Sequence, residues 1–207
     1  MTRLRDIISD GIILFAVSTA VVVVADLGFS YLKESGKTDS PLVASIDKND
    51  LEGLREKLAK APGAGAPDAQ GRTPLAWAAY ANIETAATLA ETDEKRAAMI
   101  TALLDKGADP NALDNDGWSP LMWASWSGLE KSANILIQSG ARCDIRDSKG
   151  HSALALAAAR GFPEIVAELS TQDPAGRKSA MDAANAALST GAIDENTAAE
   201  IFRSLEK

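Results

Sequence analysis

An all-α repeat solenoid is the fold class this sequence predicts, on three observations. Short motifs recur in register through the middle of the chain. Each recurrence begins with a helix-starting signal and ends at a residue that tolerates a left-handed backbone. Alanine is abundant, while aromatics are only 5% of the 207 residues, a composition suited to helices that approach closely. A fixed internal period of roughly 20–50 residues marks stacked supersecondary units, each burying its apolar face against its neighbours.

The chain opens MTRLRDIISDGIILFAVSTAVVVVADLGFSYLK. Residues 1–32 are expected to form one hydrophobic helix, serving as a transmembrane anchor or a signal sequence, and 33–39 a linker. Ile12 to Ala25 carries no charge over 14 residues, and Gly11 to Leu32 supplies 22 residues interrupted only by Asp26. A span needs about 20 largely apolar residues, and Phe29 and Tyr31 sit where interfacial aromatics belong. Asp26 is placed to reach the headgroup layer, or to pair within a membrane complex. The competing reading is a cleaved signal: Arg3 and Arg5, an apolar stretch, then the small-residue site Val23-Val24-Ala25. Arg3, Arg5 and the amino terminus together slightly outweigh Lys33 and Lys37, which favours a cytoplasmic amino terminus and an exported body.

From residue 40 the repeats begin. Ser40-Pro-Leu42, Thr73-Pro-Leu75, Ser119-Pro-Leu121 and Ser152-Ala-Leu154 align at offsets of 33, 46 and 33 residues. A Ser or Thr hydroxyl caps free N–H groups at a helix start, and proline fits the first turn. Seven residues after each leucine stands Asn49, Asn82, Gly128 or Gly161, residue types that end helices in the left-handed region. A second helix with larger apolar residues follows, as in Ile135-Leu136-Ile137 before Gly140. Asp68-Ala-Gln-Gly71, Asp114-Asn-Asp-Gly117 and Asp147-Ser-Lys-Gly150 read as tight turns projecting from the stack. Lys106-Gly-Ala-Asp-Pro-Asn111 and Ser139-Gly-Ala-Arg-Cys-Asp144 match each other one period apart.

At Thr73-Pro-Leu-Ala-Trp-Ala-Ala79, Ser119-Pro-Leu-Met-Trp-Ala-Ser125 and Ser152-Ala-Leu-Ala-Leu-Ala-Ala158 the chain resembles the ankyrin-repeat family. The resemblance covers 40–172 and implies about four repeats, each a helix pair with a projecting β-turn. The family's histidine is replaced by Ala76, Met122 and Ala155. The first repeat, Ser40 to Lys60, keeps only the skeleton. The second carries a 13-residue insertion around Glu91 to Ala98, since 25 residues separate Asn82 from Gly107 against 12 between Gly128 and Gly140. The insertion either lengthens the second helix or splits it at Thr92-Asp93, with Asp93 and Glu94 expected as solvated helix charges. Residues 173–207 lack the hairpin motif. Ser179–Leu188 and Glu195–Leu205 read as a C-terminal helical cap, because a terminal repeat must hide the open face of a stack.

Net charge is −8, and no basic run suggests nucleic-acid binding, whose affinity comes largely from neutralising phosphates. No cofactor or metal is expected. One cysteine, Cys143, and one histidine, His151, cannot assemble a Cys/His zinc site, which needs about four ligands. Asp114-Asn-Asp-Gly117 resembles part of a calcium loop, but Trp123 occupies the place of the bidentate glutamate. No phosphate-binding glycine loop is present. A Cys143/His151 thiolate pair is the one enzymatic alternative, without an assured orienting acid or oxyanion site; the reading is of a protein that is not an enzyme.

Register also sorts the aromatics. Trp77 and Trp123 align with Leu156 inside the first helix and are expected in the core. Trp118 aligns with Arg72 and His151 beside the turns, and Trp126 with Tyr80 and Ala159 near the helix end. The resemblance places these last positions on a concave face and turn tips where partners bind. Arg72, Tyr80, Asn115, Asp116, Trp118, Trp126, His151 and Arg160 are therefore the expected partner-binding residues, since aromatics and arginine dominate binding hot spots. The functional expectation is a single-pass membrane-tethered protein, its body exported, that binds a membrane-associated protein and serves as an accessory subunit. A soluble exported binding protein is the alternative.

Overall fold

The computed structural model describes residues 40–61, 63–81 and 86–206, with side chains of 86–88 excepted. The expected N-terminal hydrophobic helix lies outside the described residues. Among those described, all regular structure is helical, and no helix is long and apolar enough to cross a membrane.

Helices pair along the chain as α1 (Pro41–Asp47) with α2 (Leu51–Lys60), α3 (Pro74–Ala79) with α4 (Ala86–Asp105), α5 (Pro120–Ser127) with α6 (Glu130–Gln138), and α7 (Ala153–Arg160) with α8 (Pro163–Gln172). First helices stack on first helices, α1 on α3, α3 on α5 and α5 on α7. Second helices stack likewise, α2 on α4, α4 on α6 and α6 on α8. The starts are built as their residues dictate. Thr73, Ser119 and Ser152 accept hydrogen bonds from the N–H groups of Ala76, Met122 and Ala155, whereas Ser40 makes no such bond. Asn49, Gly128 and Gly161 end helices with φ of 54°, 73° and 77°.

Alanines stand where the first helices meet, most densely in α3 and α7, so these helices pack with little side-chain bulk between them. Ala78, Ala79, Ala124, Ala157 and Ala158 are fully buried, and Leu75, Leu121 and Leu154 point from equivalent positions into one continuous core with Leu54, Leu103, Leu136 and Leu169.

Beyond the fourth pair a short 3-10 turn (Pro174–Gly176) leads to α9 (Arg177–Ser189) and α10 (Glu195–Leu205). They do more than lie across the end of the stack. α9 packs on α7 and α10 on α8, so they continue the same order as a fifth helix pair without a projecting turn before it. Buried Asp173 sets their start: its carboxylate accepts from Gly176 N–H and from the Arg146 guanidinium at 2.9 Å.

The insertion lengthens the second helix rather than splitting it. α4 runs unbroken for 20 residues. Asp93 is not a solvated charge; it is buried at 5% exposure. Its carboxylate reaches the start of α6, accepting from Lys131 N–H (2.7 Å), Ser132 N–H (3.0 Å) and Ser132 Oγ–H (2.7 Å). The N-cap residue of α6 is Leu129, which has no side-chain acceptor, so the neighbouring repeat supplies the missing cap. Glu94, one residue on, pairs with Lys131 at the surface.

Candidate functional site

Three turns project before α3, α5 and α7, and one aspartate organises each. Asp68, Asp114 and Asp147 accept through Oδ1 from the N–H groups two and four residues ahead, at 2.7–3.0 Å. Gly71 and Gly117 close the first two turns with φ of 78° and 83°. A Cβ at Gly71 would meet Asn115 Oδ1 at 2.7 Å, and one at Gly117 would meet Ser148 N at 3.3 Å. Glycine is needed there for the left-handed backbone and for the approach of the next turn. The turns are joined edge to edge: Asn115 N–H donates to Gln70 C=O, Asn115 Nδ2 to Ala69 C=O, and Ser148 N–H to Asp116 C=O.

Each aspartate's other oxygen holds a ring. Oδ2 of Asp68 accepts from Trp77 Nε1 at 3.0 Å, and Oδ2 of Asp114 from Trp123 Nε1 at 3.0 Å. The third turn has Leu156 where the others have tryptophan. There Asp147 Oδ2 accepts from Trp118 Nε1 of the preceding repeat at 3.1 Å and meets His151 Nδ1 at 3.1 Å. Burial pushes the Asp114 carboxyl above its usual range, against the opposing N–H donors of Trp118, Trp123 and Asp116.

These bonds gather the aromatics on the face made by the first helices and the turns. Trp118 packs on Trp123 with centroids 4.5 Å apart and on Trp126 at 5.9 Å; Tyr80 meets Trp123 edge-on at 5.4 Å. Such offset and edge-to-face contacts favour a fixed arrangement. The Arg160 guanidinium lies 4.7 Å over the Trp126 ring, and its Nε donates to the Trp126 carbonyl at 3.3 Å. Burial raises the Tyr80 phenol pKa, while the guanidiniums of Arg160, Arg72 and Arg96 act the other way.

The eight expected contact residues thus divide. Tyr80, Trp118, Trp126 and Arg160 form one contiguous cluster, in which the three rings are half-buried and Arg160 is exposed. Asn115 and Asp116 are exposed at the second turn, with backbone groups spent on its neighbours, and His151 is half-buried beside Asp147. Arg72 needs correcting as contact surface: it is 4% exposed, paired with Asp68 at 2.9 Å and stacked 4.3 Å over Trp77. A guanidinium so enclosed supports Trp77 from behind and offers a partner almost nothing. Trp123 is core as expected, at 6% exposure, whereas Trp77 is only half-buried.

The bonds from Asp68 and Asp114 to the indoles nine residues ahead were not anticipated, although the repeated Asp/Trp offset was there to be read. Cys143 and His151 are held apart in role. The thiol bonds the Ala141 carbonyl at 3.9 Å, and burial together with nearby Asp173, Asp144 and Glu168 pushes its pKa up to about 11. It carries no thiolate at neutral pH.

Stacked helix pairs joined by projecting turns define a helical repeat protein. A family model described as ankyrin repeats, in three copies, matches residues 84–147, a stretch that takes in α4, the second turn, α5 and α6 and ends at the aspartate of the third turn. No curated protein matches the chain. The all-helical stack with ankyrin repeats is consistent with an α repeat solenoid, and such repeats are typically non-enzymatic modules for protein–protein interaction.

Proposed function

We propose that this chain is a membrane-tethered ankyrin-repeat protein that binds a membrane-associated protein through the face bearing Tyr80, Trp118, Trp126 and Arg160. The observation that carries the reading is that cluster. Three large rings and a guanidinium meet on one side of the stack, and aromatic–arginine patches of this kind form binding hot spots. Asn115, Asp116 and His151 flank it at the turns. The tether rests on the uncharged run Ile12 to Ala25 and its flanks. The slight basic excess of Arg3, Arg5 and the amino terminus over Lys33 and Lys37 favours an exported body. Tethering raises the effective concentration of partners in the same membrane, which suits an accessory subunit of a membrane complex. The small-residue sequence Val23-Val24-Ala25 supports a second reading, a soluble exported binding protein released by cleavage.

Co-purification from mildly solubilised native membranes, with a tag after Lys207, tests both. A stoichiometric partner that is lost with the Trp118→Ala/Trp126→Ala double variant supports the membrane-bound reading. Recovery only from the soluble exported fraction, at a mass matching cleavage, replaces it with the second. A partner retained by the double variant moves the contact surface elsewhere.

A further inference from the structure

We propose that Arg160 is a preset receptor for a carboxylate, and that the partner segment laid on this face is acidic, with an Asp or Glu side chain forked onto Arg160 beside an apolar or aromatic side chain seated on Trp118 and Trp126. The inference rests on the reading of this face as the contact surface.

Arg160 combines an exposed position with a fixed guanidinium that has no acid of its own among the described residues, whereas the neighbouring Arg96 is largely enclosed and spends a donor on the Trp77 carbonyl. Arg72, Arg142 and Arg146 each pair with a carboxylate of the chain at 2.9 Å, namely Asp68, Asp144 and Asp173. Among the described residues, no carboxylate lies within ion-pair distance of Arg160. It is nonetheless held in place, by the Trp126 ring beneath it and by the bond from its Nε to the Trp126 carbonyl. Ordering a long side chain normally opposes binding, so a guanidinium already fixed loses less on complex formation. The backbone bond uses Nε alone. Nη1 and Nη2 remain for the two parallel bonds that a carboxylate accepts from this group. Burial also removes water from part of the guanidinium, which lowers its pKa from the ordinary value against the opposing influence of the Tyr80 phenol. A carboxylate arriving there meets a cation whose field is less damped than at an open surface.

The nearby acids do not neutralise it. Asp114 and Asp147 are buried and turned to the tryptophans and turn N–H groups. The exposed Asp116 sits at the tip of the second turn, its backbone carbonyl bonded to the third. The overall charge of −8 would by itself draw a basic partner, so the two chemistries separate cleanly by experiment.

Random dodecapeptides displayed on phage are selected against the full chain in mild detergent. One recovered sequence is synthesised, and its Kd is measured by fluorescence anisotropy. The expected consensus pairs an acidic residue with an aromatic or large apolar one. Arg160→Ala and amidation of the peptide's acid (Asp→Asn or Glu→Gln) should each weaken binding about tenfold or more, without adding, and Arg160→Lys should fall between. A neutral or basic consensus, or binding that needs Trp118 and Trp126 but ignores Arg160 and the peptide's acid, overturns the carboxylate receptor and leaves the contact face standing. Peptides indifferent to Arg160 and to both tryptophans, or failure to recover any, count against both. The peptide-side change leaves the chain intact, so a misfolded variant cannot obscure the result.

Discussion

Replacing Asp93 by alanine should uncouple the long α4 from the next repeat. In the native chain its carboxylate accepts three bonds at the start of α6. Without it, the part-buried Lys131 N–H and the buried N–H and hydroxyl of Ser132 lose their acceptor. Loss of an N-cap costs about 0.5–2 kcal/mol. Stranding a buried donor costs about 1–3 kcal/mol, and the carboxylate's attraction to the helix dipole adds about 0.3–1 kcal/mol. These figures overlap, and water will reach part of the opened site, so a loss of about 3 kcal/mol is expected. Asp93→Asn keeps one acceptor oxygen and should lose about half as much, by the same cap energetics. Glu94→Ala removes only the exposed pair with Lys131, whose side chains are 60% and 67% accessible, and should cost about 0–1 kcal/mol. Hydrogen–deuterium exchange of the full chain in mild detergent reads this directly. Peptides spanning the start of α6 should exchange about a hundredfold faster in Asp93→Ala, since each 1.4 kcal/mol or so is tenfold, while α8 and α10 change little because repeats couple mainly to their neighbours. If Asp93→Ala protects α6 as well as the native chain does, or Glu94→Ala is equally damaging, the capping argument fails.

Two further outcomes follow from the turns and the thiol. Gly71→Ala should destabilise more than Gly150→Ala in thermal unfolding: both force a left-handed alanine, at about 1–2 kcal/mol, but only Gly71 also presses a Cβ onto Asn115, at 2.7 Å, while Gly150 has open space; equal losses would show that the contact between turns is slack. Cys143 should resist iodoacetamide in the folded chain at neutral pH and react fast in urea. Its folded pKa of about 11 lies above the ordinary value of 9.0, so the unfolded chain releases the proton first. This contribution to stability is complete below pH 9 and is lost as pH rises towards 11. A Cys143→Ala variant with the same alkaline loss as the native chain would contradict it.

Helix starts and ends were legible in the sequence because they are local: Thr73, Ser119 and Ser152 each bond three residues ahead. The register of the repeats gave the turns and the aromatic positions for the same reason. The insertion's role was hidden by distance, since Asp93 acts on a hydroxyl 39 residues away. Trp118 likewise finds its carboxylate 29 residues on, and alignment alone could not say which repeat would hold it. Arg72 was assigned by alignment with Trp118, although Asp68 stood four residues before it, and that local pair removed it from the surface. The fifth helix pair was expected as a cap, since it lacks the Thr/Ser-Pro-Leu start, yet its stacking order follows from Ala180, Ala184 and Ala187, which bury a small-residue stripe of α9.

The aspartate-bound indoles give this chain an internal optical readout. Trp77, Trp123 and Trp118 each donate to the carboxylate of a turn, so their emission should respond when a turn opens. Trp126, beneath Arg160, and Trp118, packed on it, also line the open face. A shift in fluorescence that appears in the native chain and vanishes in the Trp118→Phe/Trp126→Phe double variant, with helical circular dichroism unchanged, would therefore report occupancy of the face without any attached dye.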